Sequence, residues 1–315
     1  MGEHVIVGAG AVGQGVAREL AAAGHEVVIV SRSGRAPAVD GVRAVAADAA
    51  DQAVLTRLLT GAAVLYNCAN PPHYHRWATE WPPMAQAMLG AAVATGTDYL
   101  IMGNLYGYGP VTAPMRPDTP LAATGRNGGI RNGMWSDALA AQAAGRIRTM
   151  EVRASDFFGP DSGANAHMGD RVIPRLLAGK PVRVFGSLDA PHSWTFTPDV
   201  SHTIAMLAAD DRGWGRAWHV PTNAPLTQRE AITSIASEAG VDVPKLAVLP
   251  RSLLRALGVV VPVVGALGQV LYQFESSFVI DATETTETFG IEPTPWSECV
   301  RTTLAAYRTP TPTAG

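Results

Sequence analysis

Short apolar runs and alanine-rich stretches alternate along the first half of the chain. The runs are rich in β-branched residues and are typical of buried strands, whereas the alanine-rich stretches have the length of helices. This alternation predicts an α/β domain in which helices cover both faces of a parallel sheet. The predicted strands are His4–Val7, Glu26–Val30, Val42–Ala46, Ala63–Cys68, Tyr99–Met102 and Thr149–Arg153, and the predicted helices are Ala11–Ala23, one capped by Asp51 and ending near Leu59, Pro83–Thr95 and Gly133–Gly145.

The pattern changes after residue 155, where segments rich in Gly, Pro and Asp separate short helices and strands. Thr227 and Glu230 have capping-box spacing ahead of a predicted helix over Ala231–Ala239. We therefore expect three parts: a dinucleotide-binding domain over residues 1–155, a smaller substrate-capping region over 156–308 with some elements returning to the first domain, and a flexible tail over 309–315.

Charge and composition exclude several classes of protein. The formal net charge is −3, with 47% hydrophobic and 16% charged residues, which is typical of a globular protein without the basic face that nucleic-acid binding requires. The two cysteines, Cys68 and Cys299, form no metal-ligand spacing, and neither do His73 and His75. We therefore expect a small-molecule substrate, no metal and no nucleic-acid partner.

One long stretch, from Ala256 to Phe274, carries no charged residue. Pro262 interrupts it, so it predicts a buried helix pair or hairpin rather than a membrane span. No signal peptide precedes the first predicted strand. These features favour a cytoplasmic protein that does not bind membranes.

The strongest chemical signal is a glycine motif between the first strand and the first helix, Gly8-Ala9-Gly10-Ala11-Val12-Gly13. In such a motif the first glycine permits a tight turn, the second lets a pyrophosphate approach the backbone, and the third lets helix and strand pack closely. The helix that follows offers unpaired amides and the positive end of its dipole to an anion. The motif and its position predict a Rossmann-type doubly wound fold that binds a nicotinamide dinucleotide.

The end of the second strand suggests which dinucleotide is bound. NAD-binding domains usually have Asp or Glu there, but this chain has Ser31 and Arg32. Arginine pairs with a 2′-phosphate, so we expect NADP(H), with NAD(H) as the second choice. Asp48 could accept a hydrogen bond from the adenine amino group, or it could cap a helix.

Four later segments also follow the strands in a characteristic order; they are Tyr66–Pro72, Asn104–Gly107, Val152–Pro160 and Thr195–Val200. With the glycine motif, they resemble the short-chain dehydrogenase/reductase superfamily, of the extended or atypical type grouped as NAD-dependent epimerase/dehydratase-like proteins. The third segment resembles that family's R-x-x-N-x-Y-G-P stretch. The resemblance implies a Rossmann fold, cofactor contacts after the fourth strand and a homodimer. The residues predicted to contact the cofactor are Gly8, Gly10, Ala11, Val12, Gly13, Ser31, Arg32, Asp48, Asn67, Ala69 and Asn70.

The catalytic pair of that family is missing. Its members usually use Tyr-x-x-x-Lys, in which lysine lowers the tyrosine pKa and tyrosine transfers the proton. This chain contains no such pair, and its first lysine is Lys180. The helix expected to hold the pair instead reads Arg131 to Asp137.

Three hypotheses are compatible with the missing pair. The first is an NADP(H)-dependent oxidoreductase for a small carbonyl or alcohol, in which Tyr106 or Tyr108 donates a proton and Arg131 anchors the ribose or the substrate. The second is a sensor or scaffold that binds the cofactor without turning it over. The third is a nucleotide-sugar epimerase or dehydratase. We expect the first.

Overall fold

The computed structural model describes residues 2–163 and 166–308, so the tail predicted over 309–315 lies outside the described residues. The strands are β1 His4–Val7, β2 Val27–Ser31, β3 Val42–Ala46, β4 Val64–Asn67, β5 Asp98–Asn104, β6 Thr149–Ala154, β7 Asp156–Phe158, β8 Val182–Val184, β9 Pro191–His192, β10 Trp194–Phe196, β11 Ala217–His219, β12 Leu226–Thr227 and β13 Leu246–Val248. The helices are α1 Ala11–Ala22, α2 Gln52–Leu59, α3 Trp77–Thr95, α4 Arg126–Ala143, α5 Ile173–Leu177, α6 Thr197–Ala208, α7 Gln228–Ala239, α8 Arg251–Val260, α9 Pro262–Gly268, α10 Tyr272–Glu275, α11 Thr283–Phe289 and α12 Trp296–Arg308.

A parallel sheet of seven strands forms the centre of the described structure, in the order β11-β6-β5-β4-β1-β2-β3. The strand order reverses beside β1, which lies between β2 and β4. In open α/β sheets the crevice at the carboxyl ends of the strands, next to this reversal, is where ligands bind. The prediction of a Rossmann-type doubly wound sheet is confirmed.

Helices cover both faces of the sheet. On one face, α2, α3 and α4 bury side chains such as Leu55, Trp81 and Met134, and on the other α1 and α6 bury Val16 and Ile204. Both faces of each central strand are therefore apolar, which explains the unbroken apolar runs in the sequence. The Asp51 carboxylate accepts from the Val54 amide at the start of α2, as predicted.

Residues after 155 build a second core, in which α5, α7 and α12 pack around side chains such as Phe158, Trp194 and Ile232. Three small pairings accompany this core: β7 with β10, β8 with β13, and β9 with β12. The predicted capping box of Thr227 and Glu230 is present at the start of α7. Strand β11 pairs with β6, and helix α6 packs on α1, so residues after 155 also contribute to the central sheet and to one of its helical layers.

Two helices begin earlier than predicted. Helix α3 begins at Trp77 instead of Pro83, and two prolines lie inside it. Prolines there remove helical hydrogen bonds, but Trp77 and Trp81 are fully buried and their packing offsets that loss. Helix α4 begins at Arg126 instead of Gly133, because tertiary contacts outweigh the weak helix propensity of its glycine-rich first turns.

The uncharged stretch around Pro262 forms a helix pair, α8 and α9, as predicted. Its burial is as predicted only in the second part: Leu257 and Val260 are 40% and 74% exposed, whereas Ala266, Val270 and Phe274 are buried. No helix among the described residues is long and apolar enough to cross a membrane.

Candidate active site

The glycine motif forms a tight turn between β1 and α1. Gly8 has a φ of +113°, and a Cβ atom there would lie 2.6 Å from the Cys68 carbonyl oxygen. A Cβ atom on Gly13 would lie 1.9 Å from the Gly8 carbonyl oxygen, whereas one on Gly10 would meet no atom within 4 Å. The first and third glycines are thus required by packing, and the second leaves open space beside the backbone.

The first turn of α1 is open to an anion. Its N-cap residue, Gly10, provides no side-chain cap, and the first helical bond runs from the Gln14 amide to the Gly10 carbonyl at 3.0 Å. The amides of Ala11, Val12 and Gly13 precede that bond and point out of the helix end. These amides and the positive end of the helix dipole fit a pyrophosphate, so the residues present fit a dinucleotide.

The residues predicted to contact the adenosine half lie after β2 and β3. Ser31 ends β2 and its hydroxyl accepts from the Arg35 amide at 3.3 Å, while the Arg32 side chain is exposed at the turn that follows. Asp48 accepts from the Ala50 amide at 2.9 Å and so stabilises the turn before α2. The cofactor contacts of Ser31, Arg32 and Asp48 stay predictions.

Strand β4 ends beside the glycine turn. Asn67 is buried and its amide donates to the Tyr99 hydroxyl at 2.9 Å, while its carbonyl oxygen accepts from the Ala69 amide at 3.3 Å. Asn67 therefore holds the chain at this point, whereas Ala69 and Asn70 line a cavity.

The cavity lies at the carboxyl ends of β4, β5 and β6 and has a volume of about 140 Å³. Residues of the first domain and of the later region both contribute to its wall. They are Val12, Cys68, Ala69, Asn70, Tyr74, Met102, Gly103, Asn104, Leu105, Tyr106, Arg131, Ala154, Ser155, Asp156, Phe157, Ser162, Ala166 and Gln273.

Two tyrosines of the cavity share a hydrogen bond. The hydroxyls of Tyr74 and Tyr106 are 3.0 Å apart, and the Tyr74 ring stacks on Trp77 at a centroid distance of 4.7 Å. Burial raises the pKa of Tyr74, and burial together with the neighbouring Tyr74 and the charge of Asp156 raises that of Tyr106 well above its usual value. Both hydroxyls are therefore protonated at neutral pH and can donate.

Arg131 places a buried cation beside these tyrosines. Its guanidinium donates to the Met102 carbonyl and to the Asn70 side chain, both at 3.2 Å, and lies over the Trp77 and Trp81 rings at 5.2 and 4.4 Å. No carboxylate of the described residues lies within ion-pair distance of it. Burial lowers its pKa, and its charge favours ionised Tyr74 and Tyr106.

The structure brings Tyr106 and Arg131 to the cavity but not Tyr108. The Tyr108 hydroxyl accepts from Arg153 and bonds to the His219 ring, both at 2.7 Å, in a separate buried cluster. The two tyrosines flank Gly107 on a single 3₁₀ turn and point to different places. Tyr108 therefore belongs to the framework.

At the cavity wall, Nε of Arg131 and the hydroxyl of Ser155 are buried without a partner among the described residues. Buried polar groups are nearly always paired in native proteins, so these atoms point to a polar ligand in this cavity.

Reasoning from the sequence missed Tyr74 and Asp156. Tyr74 follows the double proline after β4, and that segment was noted only for its cofactor contacts. The sequence does contain a signal for Asp156, because this residue stands at the asparagine position of the R-x-x-N-x-Y-G-P stretch. Among the described residues there is no cluster of His, Cys, Asp and Glu that could hold a metal ion.

The chain is similar to known proteins in both sequence and fold. The model of the NAD dependent epimerase/dehydratase family matches residues 4–220. The 2′-dehydrokanamycin reductase of Streptomyces kanamyceticus is 27% identical over 233 residues, which are 71% of this chain but only 62% of that relative.

Two solved structures share the fold over nearly their whole length. A UDP-glucuronic acid 4-epimerase from Bacillus cereus, in complex with UDP-glucuronic acid and NAD, has a TM-score of 0.81 at 14% identity and covers 97% of this chain and 99% of its own. The dTDP-glucose 4,6-dehydratase of Streptomyces venezuelae, with NAD bound, has a TM-score of 0.76 at 19% identity and covers 97% of each chain. At these identities the likeness establishes the fold.

The expectation of NADP(H) is wrong. The epimerase and the dehydratase that share the fold both hold NAD, which overturns the preference drawn from Arg32. The physical reason is that an exposed arginine at a turn is stable in water without any phosphate partner, so its presence alone does not require a 2′-phosphate.

Proposed function

Because the chain belongs to the NAD-dependent epimerase/dehydratase family, we propose that it binds NAD and acts on a hydroxyl-bearing carbon of a nucleotide sugar, as an epimerase or dehydratase. The observation that carries the proposal is the cavity itself. It joins the glycine turn, at Val12, to the hydrogen-bonded pair Tyr74 and Tyr106 and to the buried cation Arg131. A redox cofactor held at the glycine turn would thus lie beside a proton-transfer group.

The residues of the turn hold the cofactor in this proposal. The amides of Ala11, Val12 and Gly13 bind the pyrophosphate, and Asn70 lies where β4 meets the cavity. When bound, NAD supplies the hydride acceptor and donor.

Tyr106 holds the proton that is exchanged with the substrate oxygen. Its raised pKa keeps the hydroxyl protonated, so that it can donate to a carbonyl oxygen of the substrate. When Tyr106 must act as a base, the charge of Arg131 offsets part of the cost of ionising it. Tyr74 shares a hydrogen bond with the Tyr106 hydroxyl and raises the pKa of Tyr106, which keeps that hydroxyl protonated. Arg131 takes the part of the cation that a lysine plays in the usual pair, as an anchor that never gives up its proton.

A second candidate is the one-way reduction of a ketone. The similarity to 2′-dehydrokanamycin reductase favours it, as does the raised pKa of Tyr106, which makes that hydroxyl a better donor than base. The same cavity serves both reactions, and the substrate distinguishes them.

Calorimetric titration with NAD and NADP tests the cofactor first. We expect NAD to bind at least as tightly as NADP and Arg32→Ala to leave NAD affinity nearly unchanged. The NAD-loaded protein is then incubated with UDP-glucose, UDP-glucuronic acid and dTDP-glucose, and products are separated by mass spectrometry and NMR. Binding of NAD without conversion of any sugar nucleotide, but with reduction of keto-sugars by NADH, would transfer the proposal to the reductase. Binding without either reaction would favour a silent cofactor-binding protein.

A further inference from the structure

A carboxylate and a histidine meet at the wall of the cavity, apart from the two tyrosines. Asp156 lies at the start of β7 and lines the cavity, and its Oδ2 is 2.9 Å from Nε2 of His192. The His192 side chain is only 2% exposed, whereas that of Asp156 is 18% exposed. The pair is thus open to the cavity on the carboxylate side only.

The hydrogen bonds of His192 indicate its protonation state. Its Nδ1 lies 3.1 Å from the backbone carbonyl oxygen of Gln273, which can only accept a hydrogen bond. Its Nε2 faces the carboxylate of Asp156, which also accepts when ionised. Imidazolium is the only form of histidine with two donors, so both contacts are satisfied when His192 is a cation.

The surroundings of the ring support a cation. His192 lies against Trp194 and Phe274, at centroid distances of 4.5 and 4.8 Å, and aromatic faces attract positive charge. The neighbouring His167 has a pKa lowered to about 4 by burial, so it is neutral and does not repel the ring. Arg171 is a nearby cation; burial lowers its pKa, and the charge of Asp156 opposes part of that lowering.

His219 makes a useful contrast within the same fold. Its Nδ1 also faces a backbone carbonyl, that of Asp281 at 3.0 Å, but its Nε2 meets the Tyr108 hydroxyl. A hydroxyl can donate to that nitrogen, and burial lowers the pKa of His219 to about 4, so this ring is neutral. The two histidines thus share the contact of Nδ1 with a backbone carbonyl and differ in the partner of Nε2.

We propose that Asp156 and His192 form a carboxylate–imidazolium pair that is a second acid–base group of the cavity, distinct from Tyr74 and Tyr106. This role rests on the proposed function. Beside a substrate carbonyl, the Asp156 carboxylate takes the proton of the neighbouring C–H bond, and that electron pair moves to form an enolate. His192 stays protonated and stabilises the carboxylate, and the proton later returns from Asp156 to carbon or to a leaving hydroxyl. A reaction with this step is a dehydration or an epimerisation beside the carbonyl.

The test reads the pair without any substrate. Nitrogen-15 NMR of the histidine rings at neutral pH, with His192→Gln to assign the signal, distinguishes a doubly protonated ring from a neutral one. We expect His192 to be doubly protonated in the NAD-loaded wild type and in Tyr106→Phe, and neutral in Asp156→Asn, with His219 neutral throughout. A neutral His192 in the wild type would overturn the proposal.

Rescue by formate tests whether the pair is open to the cavity. Asp156→Ala removes the carboxylate and leaves room for a small acid, so added formate should restore the doubly protonated ring. A buried ion pair with only a structural role would not admit formate, and failure of the rescue in folded protein would refute the acid–base role. Neither measurement requires turnover, so a failure to convert sugar nucleotides would count against the proposed function alone.

Discussion

Replacing Tyr108 by phenylalanine should cost more stability than the same change at Tyr106, although the two residues are neighbours on one turn. The Tyr108 side chain is 1% exposed, and its hydroxyl accepts from Arg153 and donates to His219, both at 2.7 Å. Removing it leaves a guanidinium N–H and a ring nitrogen buried with fewer partners. Each such group costs about 1–3 kcal/mol.

We therefore expect Tyr108→Phe to lower the free energy of unfolding by about 2–4 kcal/mol, since Arg153 keeps a weaker contact with the Pro117 carbonyl at 3.4 Å. Tyr106→Phe loses one hydrogen bond of 3.0 Å at the edge of a cavity, so its cost should be about 1 kcal/mol. The larger loss is a substantial part of the ~5–15 kcal/mol that stabilises a typical native protein.

Urea denaturation followed by tryptophan fluorescence measures both costs as shifts in the midpoint at constant slope. Cofactor affinity, measured on the same samples, should be unchanged in Tyr108→Phe, because that residue does not line the cavity. Equal costs for the two variants, or a larger cost for Tyr106→Phe, would refute the assignment of Tyr108 to the framework and Tyr106 to the site.

Three further predictions use other parts of the chain. Gly13→Ala should abolish NAD binding in calorimetry, because its Cβ atom would lie 1.9 Å from the Gly8 carbonyl oxygen. Gly133→Ala, which has open space around it, should leave NAD binding intact and stabilise helix α4 by up to ~1 kcal/mol. Equal NAD affinities of the two variants would contradict this prediction. Asp51→Ala should cost about 1 kcal/mol in urea denaturation, because it removes the cap of α2, and Asp51→Ser should recover most of that loss. Acidification should lower the free energy of unfolding. Burial lowers the pKa of His219 and His4 from 6.5 to about 4, so the unfolded state binds more protons than the folded state between these pH values. In that range each histidine reduces the free energy of unfolding by up to ~1.4 kcal/mol per pH unit. Unfolding free energies that stay constant from pH 7 to about 5 would contradict this sign.

The parts of the site that could be predicted from sequence are those that depend on local backbone geometry. The glycine turn is one, because the φ of +113° at Gly8 and the contact that a Cβ atom on Gly13 would make with Gly8 both arise within one β-α unit. The caps at Asp51 and Thr227 are others, since each acts within its own first helical turn. Neighbouring residues in the chain determine all of them, so the printed sequence is sufficient.

The rest of the site depends on contacts between distant segments. Tyr74 reaches Tyr106 across 32 residues, and Asp156 reaches His192 across 36. Tyr106 and Tyr108 are both tyrosines on one turn, so the local sequence does not distinguish them. Tyr106 lines the cavity with Arg131 of α4, whereas Tyr108 bonds to His219 of β11. The start of α3 was missed for the same reason, because Trp77 and Trp81 stabilise the helix through tertiary packing despite the two prolines that follow them.

The two buried histidines show how one local arrangement can serve two purposes. In both, Nδ1 donates to a backbone carbonyl, which fixes the ring and leaves Nε2 to respond to its partner. A hydroxyl at that position, from Tyr108, leaves the His219 ring neutral and stabilises the fold. A carboxylate at that position, from Asp156, requires a second proton on the ring and places a charged pair at the cavity wall. Because the anchoring is the same, exchanging only the Nε2 partner should change the ring's charge while the backbone stays in place, and this makes Asp156→Asn a test of chemistry with little effect on the fold.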